Sequence, residues 1–131
     1  MRRHALVVLA ALAVAGCGGE SGDLMSIETS GGPAGTAKHT IVVTGDGRGS
    51  CDRGKEKLLP SDRVIDARVI EKDVADLARK AADYPPRRGA RRYTLSTGDG
   101  DVKWSEGTAG LPPELPRAQL LALQLERLLC R

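Results

Sequence analysis

The sequence predicts an α+β fold, a small antiparallel sheet of two β-hairpins with two helices packed on one face. Three observations carry that expectation. Apolar and polar residues alternate around Ile41-Val42-Val43, an Asp99-Gly100 pair divides two further alternating runs, and residues 61–82 and 116–129 carry apolar residues at helical spacing. Strand pairs and helices in the order strand, strand, helix, strand, strand, helix bury all of these stripes when the helices lie across one face of the sheet.

The first strand falls on Leu24 to Thr29, where alternation is weak, and it runs into the turn-rich Ser30-Gly31-Gly32-Pro33-Ala34-Gly35. Lys38 to Thr44 forms the second, with Ile41 and Val43 on one face and Val42 on the other. Together they read as a hairpin with a long glycine-rich loop. Thr44-Gly45-Asp46-Gly47-Arg48-Gly49 ends the second strand and opens an irregular connection that carries Cys51.

Ser61 or Asp62 is placed to cap the next element, which extends to about Ala82. Ile70, Val74, Leu77, Ala78 and Ala81 fall on one helical face, and Val64, Ile65 and Val69 widen the stripe at its start. Asp66, Glu71, Lys72, Asp73, Asp76, Arg79 and Lys80 occupy the other side, and Tyr84-Pro85-Pro86 stops the helix.

Arg92 to Thr97 and Asp101 to Ser105 flank Asp99-Gly100, a favoured pair for a two-residue hairpin turn. Counting outward from it pairs Thr97 with Val102 and Leu95 with Trp104. Tyr93, Leu95, Thr97, Val102 and Trp104 then share a face, opposite Thr94, Ser96 and Lys103. Leu111 to Pro116 is extended, with Pro116 suited to the first turn of the last helix. There Leu121, Leu125 and Leu128 mark the apolar stripe, flanked by Leu120, Leu123 and Leu129.

The N-terminus points to export. Arg2 and Arg3 precede an uncharged apolar run from Ala5 to Ala15, too short for a membrane span of about 20 residues. The run closes on Val14-Ala15-Gly16-Cys17, which resembles the lipobox of bacterial lipoproteins, where the cysteine thiol receives a diacylglyceryl group and becomes the new N-terminus. On that likeness residues 1–16 are a lipoprotein signal peptide, 17–23 are a lipidated Cys17 with a flexible tether, and 24–131 form one domain. The expected location is the cell membrane, lipid-anchored on its extracytoplasmic side. Six residues such as Gly18 to Asp23 span roughly 12–15 Å, so the domain sits close to the bilayer.

Charge narrows the partners. The chain has 20 basic and 17 acidic side chains, and loss of Arg2 and Arg3 with the leader leaves 18 against 17. That balance argues against nucleic acid as a partner, which needs a concentrated basic surface. Arg87, Arg88, Arg91 and Arg92 cluster around Gly89, either as a solvated loop or as a contact for anionic headgroups.

Cys51 and Cys130 remain in an oxidising compartment once Cys17 is acylated, and pairing is the default there. Their disulfide closes a loop of about 80 residues, for which the chain-entropy model allows roughly 4–5 kcal/mol. A catalytic cysteine is the alternative, but Cys51 lies among Gly49, Ser50 and Gly54 with no histidine near it in sequence. His39 is the one histidine outside the leader, within a strand. Neither Asp46-Gly47 nor Asp99-Gly100-Asp101 spaces the six or more oxygens a calcium loop needs. Nucleophile elbows, paired histidines and phosphate loops are missing from the sequence. The expectation is therefore a protein without catalytic residues, metal or cofactor.

The loop at Ser30–Gly35 either presents its backbone to a partner's cleft or simply reverses the chain. Ser26-Ile27-Glu28-Thr29-Ser30-Gly31-Gly32-Pro33-Ala34-Gly35 followed by a strand resembles the opening of the emfourin-like family, small proteins named for an inhibitor of thermolysin-type metalloproteases. The later order is similar too: a helix, Tyr93-Thr94-Leu95 in a strand, another strand, then Leu111-Pro112-Pro113-Glu114-Leu115 before a leucine-rich helix. The likeness spans about Leu24 to Leu129. It implies that Ser30, Gly31, Gly32 and Pro33 contact a secreted metalloprotease. Pro33 stands where the family's loop often carries an aromatic residue, and the leader, the cysteine pair and the connection Asp46–Pro60 are additions to the pattern. A second class of function, an interaction lipoprotein of the cell envelope, fits the same scaffold.

Overall fold

The computed structural model describes residues 22–34 and 36–131. Residues 1–21, with the expected signal peptide and Cys17, and Gly35 lie outside the described residues. The fold is α+β. Strands β1 (Asp23–Gly31), β2 (His39–Thr44), β3 (Arg48–Cys51) and β4 (Lys57–Leu58) lead into helices α1 (Ser61–Asp73) and α2 (Ala75–Arg79); β5 (Arg91–Thr97), β6 (Gly100–Ser105) and α3 (Glu114–Leu129) follow. One six-stranded sheet has the order β4-β3-β2-β1-β5-β6, antiparallel throughout.

The alternation in β1 decides which face is covered. Met25, Ile27 and Thr29 are buried, while Ser26, Glu28 and Ser30 are half-exposed. Across the ladders Ile27 meets Ile41 on one side and Leu95 on the other, and Leu95 meets Val102. This apolar row joins Ala67, Ile70 and Val74 of the helical layer and Leu115, Leu121 and Leu125 of α3 in a single core. Fully burying each large apolar side chain contributes about 1.5–3 kcal/mol. The largest pair is Tyr93 and Trp104, cross-strand neighbours whose rings stack at 5.3 Å. The outer face of the sheet is mostly polar, as expected for an antiparallel sheet with one covered side.

Several expectations need correction. The sheet is larger than two hairpins, because the connection Asp46–Pro60 contributes β3 and β4. Its alternation is hidden from a reading of apolar spacing. Gly49 occupies the core-facing position opposite Val43, and a methyl group there would come within 2.9 Å of Leu129 and 3.1 Å of Leu59. Those leucines fill the space that a strand side chain would otherwise take.

The long helix also breaks. Val74 ends α1 and precedes α2 as its N-cap residue, and Ala81 turns to φ 50°. Pro60 stands at the N-cap position of α1 without a side-chain bond, so neither Ser61 nor Asp62 caps it. Of the expected stripe, Ile70, Val74 and Ala78 are buried while Ile65, Val69 and Ala81 are exposed, and Ala67, which the stripe did not include, is buried. In α3 the buried stripe is Leu115, Ala118, Leu121, Ala122, Leu125 and Leu129; Leu128 is exposed. Pro116 does lie in the first turn.

The β5–β6 hairpin turns at Gly98-Asp99, with Thr97 opposite Gly100, so Leu95 pairs with Val102 and Tyr93 with Trp104. The expected register was displaced by two residues. A two-residue slip keeps each side chain on its face, which is why Tyr93, Leu95, Val102 and Trp104 still share the core.

Candidate functional site

The glycine-rich tip is built on the central strand. β1 runs to Gly31, where it pairs with Arg91 of β5, and Ser30 pairs with Arg92. Beyond it the chain leaves the sheet. Gly31 and Gly32 adopt φ 70° and 94°, the left-handed region in which glycine carries no Cβ penalty. The Thr36 amide donates to the Pro33 carbonyl at 3.1 Å, closing a turn at the tip. Gly31, Pro33 and Ala34 are exposed, Ser30 and Gly32 half-buried.

The root of the tip is fixed by charge. Arg91 Nη2 donates to Thr29 Oγ1 at 3.2 Å and to Glu126 Oε1 at 2.5 Å. Both charged side chains are mostly shielded, at 13% and 15% exposure. Farther out, the Lys38 ammonium lies 3.0 Å from Glu28, an exposed pair that contributes little. The result is a rigid base carrying a short segment of open backbone.

Beside the tip, at the same end of the sheet, lies a second cluster. Cys51 faces the helices because it pairs with Ile41, and there it is bonded to Cys130 just beyond α3, with Cα atoms 5.3 Å apart. His39 Nδ1 donates to Asp52 Oδ2 at 2.7 Å and lies 3.6 Å from the Cys51 sulfur. Its Nε2 is 3.6 Å from Glu126. A histidine thus does approach Cys51, contrary to the expectation from sequence neighbours; strand pairing brings it across twelve positions. The sulfurs of Cys51 and Cys130 are joined to each other, so this group presents neither a thiolate nucleophile nor the thiolate ligands a metal site of His39, Cys51 and Cys130 would need.

Comparison of the chain with protein-family models, curated proteins and solved structures finds no match.

Asp52 completes the cluster as a clasp on the sheet. Its carboxylate accepts from the Thr40 amide at 2.7 Å, and its own amide donates to the Thr40 carbonyl at 2.8 Å. The bond from His39, reinforced by the one from Thr40, holds the Asp52 carboxyl below its ordinary pKa. Beside this clasp an open cavity of about 300 Å³ is bordered by His39, Asp52, Lys55, Lys57 and Arg131.

The basic segment at Arg87–Arg92 divides. Arg91 serves the tip, and Arg92 bonds the Tyr84 carbonyl at 2.8 Å and Asp83 at 2.6 Å. Arg87 reaches the Glu106 carbonyl at 3.2 Å, and Arg88 is exposed. Three of the four side chains are therefore bonded to the fold. Asp52 and Glu126 went unnoticed in the sequence and Arg91 was read only as part of the basic cluster, since each acts through partners far along the chain. The Cys51-Asp52-Arg53-Gly54 turn offered one local signal, a polar stretch at which Asp52 and Arg53 take φ 52° and 59°.

Proposed function

We propose that this chain is an exported lipoprotein held by lipid on Cys17, whose domain binds a partner protein through Ser30, Gly31, Gly32 and Pro33. The partner class is a secreted thermolysin-type metalloprotease, bound so that substrate is excluded without any reaction by the chain itself. One observation supports the tip as the contact: Gly31 and Gly32 hold open backbone at the end of the central strand, above a root fixed by Arg91 and Glu126. Binding by a pre-ordered segment loses less conformational entropy than binding by a loose one. The protease class comes from the emfourin-like resemblance of the same residues.

The test is a titration of the oxidised domain against a thermolysin-type metalloprotease, with a Gly31→Ala/Gly32→Ala variant alongside. An added Cβ meets only ordinary contacts at these positions, at 3.4 Å and 3.6 Å, so the variant is expected to fold while its tip is strained. Stoichiometric inhibition lost in the variant supports the reading. Failure to inhibit by a folded, oxidised sample removes the protease and leaves an envelope interaction protein using the same scaffold.

A further inference from the structure

The end of the sheet opposite the glycine tip carries an apolar face next to the point where the tether joins the domain. Gly22 accepts a hydrogen bond from the Gly45 amide at 3.0 Å, which pins the start of the described chain to the β2–β3 turn. Immediately beyond that turn, Gly47, Leu58, Leu59, Val64, Ile65 and Arg68 border an open cavity of about 400 Å³. Leu58 is 73% exposed and Ile65 60%. Val69, also exposed, follows Ile65 by four positions on α1 and extends the same face.

Cations border this apolar ground. Arg48 pairs in register with Leu58, and Arg68 Nη2 donates to the Gly45 carbonyl at 2.9 Å. Two nearby acids have cationic partners: Asp46 lies 3.9 Å from Arg48, and Asp62 lies 3.2 Å from Arg63. Exposed aliphatic side chains ringed by long basic ones suit the headgroup boundary of a bilayer, where stems bury and charges reach water.

Distance selects the occupant. From Cys17 to Gly22 the chain advances five residues, which span at most about 17–18 Å when fully extended. A domain joined so closely to acyl chains must turn some surface near Gly22 toward the lipid. We infer that the face formed by Leu58, Ile65 and Val69 lies against the lipid surface that holds Cys17. β1 then runs away from the bilayer, and its nine residues carry the glycine tip roughly 26 Å outward at the usual strand rise. The inference rests on lipidation of Cys17, and it explains how a short tether is compatible with a tip that faces outward.

The full chain, matured in a bacterial membrane and reconstituted in phosphatidylglycerol/phosphatidylcholine vesicles, provides the test. A tryptophan is introduced by Leu58→Trp, by Ile65→Trp, or at the tip by Ala34→Trp, and emission is compared with and without lipids brominated near the headgroup. Trp104 is fully buried and serves as the constant background. Leu58→Trp and Ile65→Trp are expected to lose about half of the added emission to bromine, the depth at which interfacial side chains lie, and Ala34→Trp none. Equal quenching at all three sites, or at none, in a protein whose mass carries the acyl chains overturns this orientation and leaves the anchor intact. A mass without acyl chains overturns the anchor and the orientation together. Blue-shifted emission at Leu58→Trp that ignores bromine, with a dimer by cross-linking, assigns the face to a second copy and overturns the lipid.

Discussion

Arg91 and Glu126 meet at 2.5 Å, joining the start of β5 to the last turn of α3 beside the root of the glycine tip. Gly31 is the register partner of Arg91, so this contact between sheet and helix also positions the first residue of the tip. His39 Nε2 lies 3.6 Å from Glu126, which sets the tip root beside the disulfide end of α3. Removing one member of a shielded pair leaves an uncompensated charge, whereas replacing both with apolar groups of similar volume does not. Glu126→Ala is expected to lower unfolding stability by about 3 kcal/mol, with Arg91→Leu/Glu126→Leu recovering much of it. Urea unfolding with an unchanged slope measures both. A single-variant loss well under about 1 kcal/mol would mean that the pair behaves as an exposed one.

Tyr93 offers a case in which polarity works against the fold. Its ring stacks on Trp104, but its buried hydroxyl has no hydrogen-bond partner among the described residues. Burial pushes the phenol pKa above its ordinary value, with Arg91 opposing. A raised acid pKa means the neutral form is favoured in the fold, so this contribution is complete below about pH 10 and is lost as pH rises through the folded value. Tyr93→Phe keeps the stacking and removes the orphan oxygen. Its stability at pH 7 should match or exceed the parent by up to about 1 kcal/mol, and its advantage should widen above pH 10. Thermal unfolding across pH 7–11 reads this directly, and a variant clearly weaker at pH 7 contradicts it.

The Asp52 clasp should act in the opposite pH direction. Its carboxyl is held low first by the bond from His39 and then by the Thr40 amide. The stabilisation is therefore present above the ordinary carboxyl range near pH 4 and disappears as pH falls through the lowered value. Asp52→Asn retains an acceptor for the Thr40 amide and tolerates the φ of 52°. Because Asp52 is about half exposed, at 49%, solvent screens it and the gap at pH 6 should stay below about 1 kcal/mol. Parent and variant should converge as pH falls through that lowered value. A gap that is flat with pH would show that the ionised form of Asp52 contributes nothing.

How much was legible in the sequence depended on how local each cause was. Ile41, Val43, Tyr93, Leu95, Val102 and Trp104 fall on the covered face by alternation alone, so the α+β class and most of the sheet core could be read directly. The cysteines could be paired by elimination, and Cys51 and Cys130 are bonded in the fold. β3 was invisible because Gly49 gives its core position to Leu59 and Leu129, which arrive from other elements. The end of α1 at Val74 was hidden because the apolar spacing continues through it into α2. For the tip, the turn chemistry of Gly31 and Gly32 was plain, but its root depends on Arg91 meeting Glu126 across 35 positions, which periodicity does not encode.

Gly100 shows why the hairpin turn lies where it does, and gives the sharpest test of register. Asp99-Gly100 is the better turn pair by local preference, yet the turn residues are Gly98 and Asp99, with Gly100 as the first residue of β6. Gly100 has φ 137°, and a Cβ built on it would lie 2.4 Å from the Ala78 carbonyl oxygen. That oxygen belongs to the α2 backbone, which cannot swing aside as a side chain can. The glycine is thus required by the approach of α2 to the sheet, and that tertiary demand overrides the local turn preference. Gly100→Ala should lower stability by about 3 kcal/mol, combining overpacking with backbone strain. It should also speed amide exchange at Lys103, whose N–H donates to the Ala82 carbonyl at 2.9 Å just after α2. Gly98→Ala is the control, since none of the described residues lies within 4 Å of its added methyl group; its effect should stay within about 0.5 kcal/mol. Were the chain to turn at Asp99-Gly100 instead, the close approach of Gly100 to Ala78 would be lost. The two alanine variants would then no longer differ in this way.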